Sequence, residues 1–200
     1  MRSDTIKAWL IALVALAVAA WLMTKLLDPK DLAAQPFERS TTAGQAVGLR
    51  TAEVKLVSVD ASKKIVVPRQ TDTDGVNTGI SGNGVFLVPT IEIRGRGEAA
   101  SLGNLSIKTK DGRTFGGLQA IGGNGCGTAP PDLPIRCQLV FEIDKAALAG
   151  ARLHVPASNS KADDVAVIDL GISDARAREL GANEAIIRIL PAEAGWAVTP

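Results

Sequence analysis

Cys126 and Cys137 are the only cysteines of the chain, one in a glycine- and proline-rich stretch and the other at the mouth of an alternating apolar segment. An oxidising, exported compartment would join such a pair. Closing so short a loop stabilises a fold by about 3 kcal/mol in the chain-entropy account. The alternative, two free or metal-binding thiols, lacks both a CxxC spacing and a histidine partner. Asp72, Asp74 and Asn77 around Gly75 alternate oxygen donors as a loop for a hard cation does, but the third ligand before the glycine and the distal glutamate are missing, so a solvated turn is expected. The glycine runs Gly79, Gly82, Gly84 and Gly122, Gly123, Gly125 would cradle phosphate if a helix amino terminus followed; strand formers or prolines follow instead. His154, the only histidine, lies between Leu153 and Val155 on an expected strand and so points away from them, to solvent or a partner surface, with no nucleophile or orienting group assigned to it. Asn104-Leu105-Ser106 is a formal glycosylation acceptor. These residue types supply no catalytic group, no cofactor site and no metal site, and an enzyme is not expected.

The elements that hold these residues begin with an apolar run, residues 8–27, whose one charge is Lys25. As a helix it spans about 30 Å, the thickness of a bilayer's hydrocarbon core. Arg2 and Lys7 precede it, while Lys25 and Lys30 behind it are accompanied by Asp28 and Asp31, a mild asymmetry that favours a cytoplasmic amino terminus. Trp9 and Trp21 stand towards the two ends, where indoles anchor at interfaces. The alternative is a cleaved signal peptide, since Ala17-Val18-Ala19 is a small-x-small triplet. No cysteine follows closely, which excludes a bacterial lipoprotein type of amino terminus. Residues 28–45, with Pro29 and Pro36 and no sustained periodicity, read as a stalk.

About 150 residues remain, enough for one domain. Twenty-two Lys and Arg nearly balance twenty-one Asp and Glu, so no field steers the chain onto nucleic acid. Twenty glycines, ten prolines and no tyrosine favour strands and turns and disfavour an aromatic platform for sugars or bases. Val54 and Leu56 alternate with charged residues before Val57 and Val59 switch parity, which predicts a bulge. A second short strand is expected at Ile65-Val66-Val67, then a loop over residues 69–84. Residues 84–94 carry the strongest strand, with Val85, Leu87, Ile91 and Ile93 on one face and Pro89 demanding an edge, a bulge or an unpaired amide. Asp111-Gly112 predicts a hairpin. Leu139, Phe141 and Ile143 face inward on a further strand, residues 151–155 and 165–172 add two more, and residues 186–190 close the fold. One short helix starts at Ser173, with Asp174 in its first turn and Gly181 as a left-handed terminator. The expected fold is all-β: an antiparallel immunoglobulin-like β-sandwich with one short helix, preceded by a single transmembrane helix. Its boundaries are a cytoplasmic tail 1–7, a membrane helix 8–27, a stalk 28–45, the sandwich 46–192 and a tail 193–200.

Residues 84–145 resemble the telokin-like, immunoglobulin-fold domain of unknown function found on bacterial lipoproteins and membrane-anchored surface proteins. The matching pieces are Gly84-Val85-Phe86 through Ile93, Asn104-Leu105-Ser106-Ile107, the Asp111–Phe115 hairpin, and Leu139-Val140-Phe141-Glu142-Ile143. Arg94-Gly95-Arg96 departs from the expected turn, and residues 116–134 form a longer, more glycine-rich connection. The resemblance implies extracytoplasmic exposure and an interaction role, with no catalytic residues to transfer. The function expected is that of a protein–protein interaction or accessory module at the bacterial cell envelope. Its partner would be an unidentified membrane or envelope protein, its bilayer contact residues 8–27, with no cofactor and no nucleic acid. The loop 116–134, with Gly122, Asn124, Gly125, Pro130 and Pro131, is the expected contact surface. The alternative is a cleaved, secreted module that binds a lipid or envelope glycan.

Overall fold

A computed structural model of the chain describes residues 2–25, 37–67, 79–118, 126–157 and 164–194. It divides into two units, Met1–Gln35 and Pro36–Pro200. In the first, Arg2–Lys25 form helix α1. Its side chains are described at Trp9 and residues 11–22, all of them exposed. That continuous stretch is about 18 Å long, and among the described residues no helix is long and apolar enough to cross a membrane.

The second unit is a β-sandwich. One sheet has the order β1-β12-β11-β6-β7, formed by Phe37–Thr42, Asp164–Asp169, Arg152–Pro156, Ser106–Lys108 and Thr114–Gly116. The other runs β13-β3-β4-β9-β14, formed by Ile187–Arg188, Ala52–Val66, Ile80–Gly95, Pro134–Gln138 and Glu193–Ala194. In this second sheet β2 (Ala46–Gly48) also pairs with β3, and β10 (Phe141–Ile143) with β4. A small ribbon joins β5 (Ala100–Ser101) to β8 (Thr128–Ala129). The core lies between the two sheets: Leu56, Leu87, Ile91, Ile93 and Phe141 from one meet Ile107, Leu153, Val155, Ala166 and Ile168 from the other, all at most 1% exposed.

Strand β4 carries the expected alternation. Its odd positions from Val85 to Ile93 fill the main core, while Phe86 and Val88 point the other way into a second cluster with Ile65, Val140 and Ile189. That cluster sits on the outer face, because residues 189–192 run from β13 at one edge to β14 at the other. Ile189 donates its N–H to Val66, and Leu190 to the side chain of Gln138. Pro89 is tolerated in this central strand because its carbonyl faces Leu139, whose N–H it accepts at 2.9 Å, at the break where β9 gives way to β10. Its missing donor therefore falls where the neighbouring ladder is already interrupted. The parity switch after Leu56 is a register shift against β4, as expected.

Five expectations are corrected. The segment read as stalk to residue 45 contains β1, which pairs parallel with β12 over Phe37–Thr42. Its sequence, FERSTT, is a polar edge strand without apolar alternation, so no periodicity betrays it. The sandwich is consequently not wholly antiparallel; β13 also joins β3 in parallel. The two strands expected near residues 54–67 are one, β3, and Ile80–Gly84, read as loop, opens β4. Gly181 does not terminate its helix: α2 runs Asp174–Ala182 and ends on Asn183, with Ser173 capping its start as expected. Gly181 sits inside the helix with the Lys145 stem packed closely on it, 2.8 Å from where a Cβ would lie. That lysine belongs to a second, single-turn 3-10 helix, Lys145–Ala147.

Candidate functional site

The disulfide forms: Cys126 and Cys137 are bonded with their Cα atoms 5.3 Å apart, and both sit in the main core. Of the expected contact loop, Gly122, Asn124 and Gly125 lie outside the described residues, as does the cation-like stretch at residues 72–77. Pro130 and Pro131 are described and are held against the body of the fold, next to the β5–β8 ribbon and through a bridge from Pro131 to Gly95. The first glycine run does not present open amides: Glu142 Oε1 accepts Asn83 N–H at 2.8 Å and Gly84 N–H at 3.1 Å. A carboxylate of the chain itself thus occupies the place a phosphate would take. Asn104 is exposed ahead of β6. Among the described residues no three His, Cys, Asp or Glu side chains gather as a metal site.

His154 takes the expected direction with less exposure than a surface histidine. It does point away from Leu153 and Val155, onto the outer face of the five-stranded sheet, but it is only 7% exposed there. The strand register explains why. On that face His154 lies between Val167 of β12 and Ser106 of β6, with Ser40 of β1 beyond Val167. In the next row Thr42, Asp169, Arg152, Lys108 and Thr114 stand side by side across all five strands. A ring in the middle strand, with Val167 and Ser106 beside it and the longer Arg152 and Lys108 in the next row, is buried by its neighbours, a cross-strand effect that one strand's alternation cannot reveal.

Around His154 the face opens into a cleft of about 560 Å³, lined among others by Glu38, Lys108, Lys110, Arg152 and Asp169. A shallower depression of about 280 Å³ continues over Ser40 and Thr42. The cleft is polarised. Its cations belong to β6, β11 and the hairpin after β6; its carboxylates belong to β1 and β12. Among the described residues Lys108, Lys110 and Arg152 make no ion pair and His154 makes no hydrogen bond, whereas Asp169 Oδ1 accepts Gly171 N–H at 2.8 Å. Burial, reinforced by Lys108 and Arg152 and opposed by Glu38, holds the His154 imidazole below its ordinary pKa, so it stands neutral at pH 7.

The hairpin that carries Lys110 is braced. Gly112 takes φ +85° at its tip, and Thr109 donates its hydroxyl to Asp111. Arg113 donates to Asp111 at 2.8 Å and to Asp144 at 3.1 Å, with its guanidinium 5.7 Å from the centre of the Phe115 ring. The hydrogen bond from Thr109 and then Arg113 lower the Asp111 pKa, while the Ala146 N–H and Arg113 lower that of Asp144. Sequence reading missed Glu38, Lys108, Lys110, Arg152 and Asp169 as a group. The outward parity of Lys108 and Arg152 was visible on their own strands; Glu38 lay in the segment read as stalk, and the register that assembles the group was not visible at all.

No family model matches the chain, and no curated protein matches it. Solved structures similar to it include an uncharacterized β-sandwich protein from Clostridium difficile, at 10% identity over 68% of this chain and 96% of that one, with a TM-score of 0.44. The YjhA protein from Bacillus subtilis matches at 14% identity over 64% and 97%, TM-score 0.47. The secreted protein MPT63 from Mycobacterium tuberculosis matches at 12% identity over 68% and 99%, TM-score 0.48.

Proposed function

We propose that this protein is a non-catalytic binding module of the bacterial cell envelope, a telokin-like, immunoglobulin-type sandwich held outside the membrane by residues 8–27, which captures its ligand on the outer face of the five-stranded sheet. The carrying observation is the cleft around His154, where three cations that make no ion pair among the described residues converge on one imidazole. Like charges held side by side without ion pairs repel one another, so such a set on the wall of a cleft marks a place where an anionic partner supplies the missing charge. The disulfide supports an oxidising compartment. The apolar run supports anchoring, because every described side chain of α1 is exposed, Ile11, Leu13, Leu16 and Leu22 included, and such a surface is stable only in lipid or against another apolar surface.

Two measurements test this. Carbonate-washed membranes should retain the protein, and protease added to spheroplasts should digest its sandwich; a soluble protein starting near Ala20 overturns the anchor. Native mass spectrometry of the full chain from its own host should show a co-purified small ligand that Arg152→Gln loses. Retention of that ligand by the variant, or absence of any ligand, overturns the recognition face.

A further inference from the structure

Resting on the reading of this face as the recognition surface, we propose that the cleft takes a phosphate ester of a polyol, its phosphate held by Lys108, Lys110 and Arg152 beside His154 and its hydroxyls directed to Glu38 and Asp169. The division of charge carries the assignment. A simple anion needs only the cationic side, and the two carboxylates would repel it from the other half of the cleft. A cationic ligand has three cations against it. A molecule with an oxyanion at one end and hydroxyl donors at the other matches both sides, because carboxylates accept hydrogen bonds from hydroxyls without requiring a positive charge.

The geometry supports a built site. Arg152 and Lys108 face each other in register on adjacent strands, and Arg152 stands opposite Asp169 on its other side, so one strand separates the cationic partner from the acidic one. Lys110 is placed from the hairpin, its stem packed beside the turn at Gly150, whose φ of +68° is the conformation that favours glycine there. His154 lies at the floor, 7% exposed, and offers one donor when neutral and two when protonated. Its ionisable neighbours on the packed strands are Glu38, Lys108, Lys110, Arg152 and Asp169, so a phosphate arriving among these cations would favour the protonated ring and bind more tightly below neutral pH.

His154 is the only histidine, so its ring Hε1 gives a single signal in the NMR spectrum of the full chain in uncharged detergent micelles. Titration with glycerol 3-phosphate at constant ionic strength should move that signal saturably and raise the midpoint of its pH titration. Glycerol and chloride should do neither, and inorganic phosphate should bind more weakly. Arg152→Gln and Lys110→Gln should each weaken binding about tenfold, as expected for a lost charge-assisted bond, while Lys55→Gln, on the other sheet, should not. Micelles doped with phosphatidylglycerol form a second arm: a response there and not to the soluble ester identifies the source as a lipid headgroup, a response to the soluble ester identifies a free or polymeric one, and either sustains the chemistry. No saturable shift in both arms, or a shift unchanged by Arg152→Gln, overturns it. If native mass spectrometry still shows an Arg152-dependent ligand while both titrations fail, the ligand class is wrong and the recognition face stands; if both fail, the face itself is wrong.

Discussion

Asp164 and Arg39 join β12 to β1 across a parallel seam, the Arg39 Nε–H donating to Asp164 Oδ1 at 2.9 Å. The second carboxylate oxygen accepts the backbone N–H of Arg50 at 2.7 Å, so one buried acid ties the first strand of the sandwich to the turn before β3. The two partners contribute unequally. Arg39 keeps 55% of its side chain exposed, where ion pairs are worth little, whereas Asp164 keeps 5%. Asp164→Ala removes the acceptor both donors share and should cost about 1–3 kcal/mol. Arg39→Ala should cost less than about 1 kcal/mol. Urea midpoints of the two variants check the order, and hydrogen exchange should speed up at residues 38–42 in the first.

That seam also shows where sequence legibility stopped. Strand β4 was readable because Val85, Leu87, Ile91 and Ile93 repeat with period two over a buried face, and the hairpin at Asp111-Gly112 was readable because its turn needs a left-handed glycine. Strand β1 was not, since a polar edge strand buries almost nothing and its partner lies more than a hundred residues away. The cleft failed to show for a related reason. Alternation places Lys108, Arg152 and His154 on the outer sides of their own strands, but pairing and register are tertiary, and so is the burial of His154. Gly181 misled because its local position suits a helix terminator, while the Lys145 stem that packs against it comes from another element.

The disulfide should matter through the unfolded chain as well as through packing. Cys126 and Cys137 are 11 positions apart and both at most 5% exposed. Reduction should lower the unfolding free energy by about 3 kcal/mol, the loop-closure entropy of a ring of that size. Urea unfolding with and without a reductant gives the difference, and a Cys126→Ala, Cys137→Ala variant should show no further effect of reductant.

Gly84 and Gly116 form a matched pair for substitution. A Cβ on Gly84 would lie 2.4 Å from the carbonyl oxygen of Ile143, within the β4–β10 ladder that also positions Glu142. Backbone cannot yield there without breaking the ladder, so Gly84→Ala should destabilise by about 1–3 kcal/mol. Gly116, at the end of β7, has nothing within 4 Å of its Cβ position, and Gly116→Ala should change stability by less than about 0.5 kcal/mol. Equal losses in the two thermal melts would contradict the close approach at Gly84.

His154 fixes the sign of a pH dependence. Its ordinary pKa is 6.5, and burial, with Lys108 and Arg152, lowers it in the folded state. As pH falls through about 6.5 the unfolded chain takes up the proton first, so stability is greatest above that value and declines on acidification until the folded ring is protonated too. The lowered carboxylates act in a separate window: Asp111, Asp144 and Glu184 contribute stability above their unfolded values of 3.8, 3.8 and 4.5 and lose it as pH falls through their folded ones. Urea unfolding between about pH 7.5 and pH 5 therefore isolates the histidine. His154→Gln should flatten the decline over that range while leaving any loss below about pH 4 unchanged. A wild-type stability that rises from pH 7.5 to pH 5 would mean the ring gains a proton on folding, the opposite of what its buried position among Lys108, Lys110 and Arg152 requires.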